Sequence, residues 1–298
     1  FATGLKQGKN LFIHPHGGAS NRPGLEFIRE VKNSANFARL IPFQFNTEQS
    51  YELEFGHNYF RVFRDGGVIL SGAVPYEVVT PYAHNHVADL VFIQEADVMY
   101  ICHPEYPVRK LARLADDNWT LTLVTFAPSI GAPAAPTAST PGNTAGQPGY
   151  TDTSYAYVVA AISGETGEES LPSPPSNTVT NDLTIDGGIN RITWTAVAGA
   201  GRYIIYKLDN GIYGYIGGTS GLSFDDQNIV PDLADTPQSA RNPFNSTGNY
   251  PRCATFIEQR LAFASTNNDP QAVWMSQSAN YENFGYSSPS KASDAVTF

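Results

Sequence analysis

Apolar positions along this chain recur at every second residue over short runs, and nearly every run stops at Gly, Pro, Asp-Gly or Asn-Gly. Tyr51, Leu53 and Phe55 alternate with Glu52 and Glu54, which predicts a half-buried strand. Gly56, His57 and Asn58 turn the chain into residues 59–64, and Asp65, Gly66 and Gly67 turn it again into residues 68–70. Asp-Gly between two apolar runs predicts a type I′ hairpin, because both central residues need positive φ. The result is a three-stranded meander. Four further runs, residues 90–93, 97–102, 108–114 and 119–126, are separated by short polar turns and predict one up-and-down sheet of the size of a propeller blade.

Residues 127–142 carry four prolines among Ala, Ser, Thr and Gly. Such a stretch buries little, favours extended conformations, and reads as a linker. A second boundary falls near Thr236 to Gly248, where Asn, Pro and Ser cluster without periodicity. Between them, residues 155–162 are apolar on both faces, and residues 171–175 hold three prolines, which a sheet tolerates only at an edge. Ile192 and Trp194 share one face of a strand; residues 203–208, the turn Asp209-Asn210-Gly211 and residues 212–216 form a hairpin. This middle stretch predicts a β-sandwich. After it, residues 255–258, 260–265 and 272–276 repeat the strand, turn, strand, Pro-loop, strand order of residue 91 onward, predicting the start of a second blade. The expected fold is therefore mainly β, in three segments. Residues 1–127 form an N-terminal meander and a first propeller-type blade, residues 128–245 an inserted sandwich, and residues 246–298 the start of the next blade. A propeller closes with ~4–8 blades, so the blades here are incomplete.

Composition supports the β reading: 16 Tyr, 17 Phe, 26 Gly and 21 Pro in 298 residues. Charged residues are 15%, which excludes a coiled coil or an acidic disordered tail. The net charge is -10 with no long basic run, which argues against a surface that grips nucleic acid by counterion release. Charge is uneven: 11 basic and 13 acidic residues in 1–127, 4 and 11 in 128–245, 3 and 4 in 246–298. No apolar stretch is long enough to span a membrane. Cys102 and Cys253 suggest no disulfide framework and are expected to be buried free thiols.

Candidate chemistry is sparse. His14 and His16, and likewise His84 and His86, stand at i and i+2, which on a strand would face the same side, yet no acid or Cys is spaced to complete a metal site; His57 and His103 stand apart. No nucleophile elbow, phosphate loop or zinc-protease motif is present. The acid pairs Asp116-Asp117, Glu168-Glu169 and Asp225-Asp226 are expected in solvated turns. No catalytic residue, metal ligand or cofactor is assigned. Tyr206, Tyr213 and Tyr215 could offer a stacking platform for carbohydrate, or simply pair across strands.

Residues 9–24 are the most specific stretch, with Asn10, Gly17-Gly18 and Arg22-Pro23-Gly24. By themselves they are a strand and two turns. In wording they resemble the amino-terminal region of the tail tube nozzle, or tail hub, proteins of short-tailed bacteriophages. Asp65-Gly66, Pro81-Tyr82, Trp119, Arg260 and Trp274, with their neighbours, are similar to the same family in order. The middle segment resembles a fibronectin type III domain, with the departure that its Trp strand follows the Tyr-rich strand instead of preceding it. The resemblance implies a non-enzymatic structural protein of the virion tail that forms a hexameric ring of propeller-type subunits. Its partners would be further copies of itself, the tail adaptor, and fibres or a needle, and viral DNA would pass through without sequence-specific binding. The competing expectation is a receptor-binding tail component that adheres to carbohydrate.

Overall fold

In the computed structural model, which describes residues 7–46 and 49–298, turn residues set the ends of nearly every strand. The chain is mainly β, its sheets are antiparallel and none closes on itself, and the one helical element among the described residues is a three-residue 3-10 turn, Val87–Asp89. Two compact units, residues 1–88 and 89–298, are distinguished, so the division falls inside the first of the three segments read from the sequence.

In the first unit, β1 (Leu11–Ile13) and β2 (Ala19–Asn21) pair only with each other. The turn between them runs through Gly17 and Gly18 at φ 94° and 87°, a region that glycine enters without steric cost. A five-stranded sheet follows, built from β3 (Arg39–Gln44), β4 (Ser50–Gly56), β5 (Tyr59–Arg64) and β6 (Gly67–Val68) in that order. β7 (Leu70–Ser71) and β8 (Val74–Pro75) make a minimal hairpin, and β9 (Glu77–Val79) returns to pair with β5. The strand expected over residues 68–70 is thus split between two sheets. Asp65 and Gly66 both have positive φ, 50° and 76°, as a type I′ turn requires. Ile41, Phe43, Tyr51, Leu53, Phe55, Phe60 and Val62 form the buried face. Glu54 departs from the expected alternation and is buried, accepting the Tyr59 hydroxyl at 2.6 Å and lying 3.8 Å from the equally buried Arg61. Burial, and then the bond to Glu54, push the Tyr59 hydroxyl up to about 12.

In the second unit, β10 (Val91–Glu95), β11 (Val98–His103), β12 (Tyr106–Ala115) and β13 (Asn118–Leu123) form one four-stranded up-and-down sheet. Residues 127–142 are not a linker throughout: β14 (Thr137–Gly142) is a strand, and Pro141 is accommodated because β14 lies at the edge of its sheet. β15 (Thr153–Tyr155) pairs with β17 (Val179–Asn181); β14 pairs with β18 (Ile189–Thr193), which pairs with β21 (Ser223–Asp226). β16 (Tyr157–Ser163), β19 (Ala200–Asp209) and β20 (Ile212–Thr219) form a second three-stranded sheet. One apolar cluster draws on both three-stranded sheets, with Ile192 and Trp194 against Tyr157, Val159, Tyr203 and Ile205.

The exposed edge of β16 is closed by an unusual device. Ser170, Ser173 and Ser176 donate their amides to the carbonyls of Ala161, Val159 and Tyr157, and their hydroxyl oxygens accept the amides of the same three residues at 2.9–3.1 Å. The three-residue spacing is that of a polyproline II helix, so the three hydroxyls face one side. Pro172, Pro174 and Pro175 occupy the positions between, where no N–H is needed. The prolines that suggested an edge from sequence are therefore what gives this edge its spacing.

The chain ends in a second four-stranded antiparallel sheet: β22 (Cys253–Ile257), β23 (Arg260–Ala264), β24 (Val273–Met275) and β25 (Val296–Thr297). β22 contacts β10 and β11. One largely aromatic cluster serves both four-stranded sheets: Tyr100 and Val108 from the first with Phe126 just after it, Leu261, Phe263 and Trp274 from the second, and Phe244 and Phe284 from loops.

Candidate functional site

The motif residues singled out in the sequence divide into backbone-shaping and packing positions. Asn10 is exposed at φ 57°, and its carbonyl accepts the Arg22 amide at 2.8 Å, closing the β1–β2 hairpin. Pro23 and Gly24 follow in exposed chain. Pro81 is half-buried, and Tyr82 is buried with its ring 6.3 Å from Phe55 while its carbonyl accepts the Asn58 amide at 2.9 Å. Trp119 is buried on β13, and its indole N–H donates to the Asp116 carbonyl at 2.9 Å. Arg260 spends all its hydrogen bonding on backbone: Nη1 donates to the carbonyls of Ser276 and Asp294, both at 2.6 Å, and Nη2 to that of Ala292 at 2.9 Å. It clamps β23 to the segment that leads into β25. Trp274 packs 5.4 Å from Phe244. None of these residues in the second unit presents a reactive group to solvent.

The second unit holds a polar cleft of about 440 Å³ lined by Tyr100, Lys110, Ser129, Glu168, Glu282 and Asn283, among others. It lies where the chain leaving β13 meets the β16–β17 connection and the loop after β24. Glu168 is buried and fully partnered: it accepts the Ser129 amide at 3.0 Å, a second bond from the Ser129 hydroxyl, and the Asn283 amide group at 3.0 Å. Asn283 also reaches Gln238 and Gln277, and Gln238 donates to the Glu169 carbonyl. Gly285 sits so close that a Cβ would fall 2.7 Å from Gln238 Oε1, which is why a glycine stands there. At the mouth, Lys110 Nζ and the Tyr100 hydroxyl both donate to Glu282 Oε1, at 2.6 and 2.9 Å. Burial first, then the charge of Glu282, push the Tyr100 hydroxyl well above its ordinary range.

Beside this cleft, Glu169 accepts the Tyr206 hydroxyl at 2.6 Å, and Lys291 bridges Glu169 at 3.8 Å and Asp235 at 2.6 Å. Burial raises the Glu169 carboxyl above the usual carboxylate range, outweighing the Tyr206 bond and Lys291. Every carboxylate in the cluster thus has a partner within the chain. The arrangement fastens the middle segment to the second four-stranded sheet and offers no unpaired acid and base to a substrate.

Several sequence expectations are corrected by this geometry. Tyr206 is fully buried, so it cannot stack on a sugar; Tyr213 is half-buried against it, and Tyr215 is its partner on β20, with ring centroids 6.5 Å apart. Tyr206 and Tyr213 are packing residues, whereas Tyr215 remains 36% exposed. Glu168 and Asp226 are not solvated turn residues: Asp226, on β21, is wholly buried, paired with Lys207 at 2.9 Å and bonded to the Tyr157 hydroxyl at 2.9 Å. Burial without those partners would be prohibitive, which is the reason the pair exists. The histidine pairs need no such correction: His14, His16, His84 and His86 lie outside the strands, His57 and His84 approach to 5.5 Å, and His103 is buried and accepts the Glu105 amide. Among the described residues no group of three or more potential ligands converges on a metal position. Cys102 is buried, its thiol pushed up by burial, whereas Cys253 is exposed; both are free. Sequence reading missed the Lys207–Asp226 pair, since a lone Lys in an apolar strand is a signal only when its partner strand is known.

Compared with known proteins, the chain matches no protein-family model and no curated protein. No helix among the described residues is long and apolar enough to cross a membrane.

Proposed function

We propose that this chain is a structural, non-enzymatic component of a bacteriophage tail, part of the nozzle or hub ring through which the genome leaves the virion. In this reading β10–β13 and β22–β25 are propeller-type blades, and residues 128–245 are a fibronectin III-like sandwich inserted between them. The observation that carries it is the pairing of the two four-stranded up-and-down sheets around one aromatic core, although the whole middle segment separates them in sequence. Consecutive blades interrupted by an insertion have this relation. The residues that resemble the family lie at its turns and packing positions, Trp119, Arg260 and Trp274 among them. An acidic chain also suits a conduit, since it offers passing DNA few phosphate-binding groups.

The ring would comprise copies of this chain and dock on an adaptor, with fibres or a needle beyond. The carbohydrate-adhesive alternative has a reduced platform, since Tyr206 is buried and Tyr215 alone of the three tyrosines is exposed. Electron cryomicroscopy of the intact particle tests the reading: density for residues 89–127 and 246–298 should line a ring around the tail axis. Finding the chain in a peripheral fibre, remote from the axis, would refute it.

A further inference from the structure

The amino-terminal stretch of the first unit is not packed on its own sheet. Every residue from Gln7 to Glu30 is exposed, and the β1–β2 hairpin pairs with no third strand. Within it Leu11, Phe12, Ile13, Leu25, Phe27 and Ile28 are 39, 53, 80, 91, 76 and 48% exposed. At ~200 Å² for a whole large side chain, these six present about 770 Å² of mainly apolar surface. A stable interface needs ~800 Å² from each partner, and monomers rarely leave so much apolar surface uncovered. Among the described residues the stretch is anchored at its end, where Lys32 meets Glu77 at 2.5 Å and Arg61 donates to the Glu30 carbonyl at 3.3 Å. Beneath Phe27 and Ile28 a cavity of about 510 Å³ separates it from Leu40, Tyr51 and Phe63.

Charge identifies the occupant. Residues 7–30 hold 3 basic residues, Lys9, Arg22 and Arg29, and 2 acidic ones, a net of +1, whereas the remainder of the chain holds 15 and 26, a net of -11. From this complementarity and the matching area we infer that residues 7–30 form an arm that docks onto the acidic body of a second copy of this chain. The inference deepens the ring reading by naming the segment that joins copies, and rests on it only for the number of copies joined. A head-to-tail arm contact is heterologous, the kind that closes into a ring when the rotation permits.

The test is sedimentation of the full chain over a wide concentration range, at low and high salt. The wild type should self-associate, and salt should weaken the association. The triple variant Ile13→Ser, Leu25→Ser, Phe27→Ser should weaken it by about tenfold or more, with an unchanged thermal transition, because all three side chains are exposed. Reversing Arg22 and Arg29 to Glu should weaken it too. A triple variant that associates like the wild type overturns the arm and leaves the ring reading standing. A wild type that stays monomeric throughout overturns the arm and removes a support of the ring as well. Arm-dependent association in a chain later found outside the tail axis upholds the arm and refutes the nozzle.

Discussion

Phe244 offers the sharpest test of the shared core on which the functional reading rests. It is 4% exposed, and its ring lies 5.1 Å from Phe126, 5.0 Å from Phe263, 5.4 Å from Trp274 and 5.6 Å from Phe284, all at steep interplanar angles. Phe244→Ala removes a fully buried aromatic from a site whose four neighbours are themselves large and rigid, so little collapse can fill the space. The expected cost is about 3–5 kcal/mol, in the upper part of that range because edge-to-face contacts contribute ~0.5–1.5 kcal/mol beyond area. Against a typical ~5–15 kcal/mol of stability, the urea midpoint should fall substantially at an unchanged slope. Tryptophan fluorescence is a suitable probe, since Trp119 and Trp274 lie one in each four-stranded sheet. Because Phe126 follows β13 and Phe263 lies on β23, a cycle with Phe126→Ala should show coupling of about 0.5–1.5 kcal/mol. A cost under ~1.5 kcal/mol, or zero coupling, would refute the idea that Phe244 joins the two sheets.

Asp226→Ala should cost about 3–5 kcal/mol by stranding the Lys207 ammonium, while Lys207→Met with Asp226→Leu should recover much of it, measured by denaturant unfolding. Ser173→Ala should cost about 1–3 kcal/mol, because the buried Val159 amide loses its 3.0 Å acceptor, and hydrogen exchange at Val159 should accelerate with it. Glu169 has its folded-state pKa raised, so its contribution to stability is fully present below the ordinary 4.5 and is lost as pH rises through the folded value. Glu169→Gln should therefore gain stability relative to wild type as pH rises above that point; a difference independent of pH would contradict the assignment. Asp225 behaves oppositely: the Arg191 fork lowers its carboxyl against the pull of burial, so the wild type's advantage over Asp225→Asn should be complete above 3.8 and shrink as pH falls from there through the lower folded value.

What was legible in the sequence was whatever a local rule governs. Asp65-Gly66 and Asn210-Gly211 announce their hairpins because a type I′ turn leaves few residue choices, and both pairs have positive φ at both positions. The four strands from β10 to β13 could be traced because short polar turns interrupt their apolar runs. Pairing between distant residues was not legible, because alternation reports that a face is buried and not what it is buried against. Tyr206 illustrates this: a tyrosine in a β hairpin looks the same in sequence whether its hydroxyl faces solvent or Glu169, 37 positions away. Glu168 and Asp226 look like turn acids until Ser129, Asn283 and Lys207 are brought to them by strands the local pattern cannot order. The linker error at β14 has a related origin. Ala138 is the one fully buried residue of that strand, and its amide and carbonyl are both held by the side chain of Asn177, 39 positions on. A strand made by one small apolar residue and a distant amide has no periodicity to read. The same limit explains why the exposed arm, whose apolar residues ought to mark a core, could be recognised only after the sheet that fails to cover it was known.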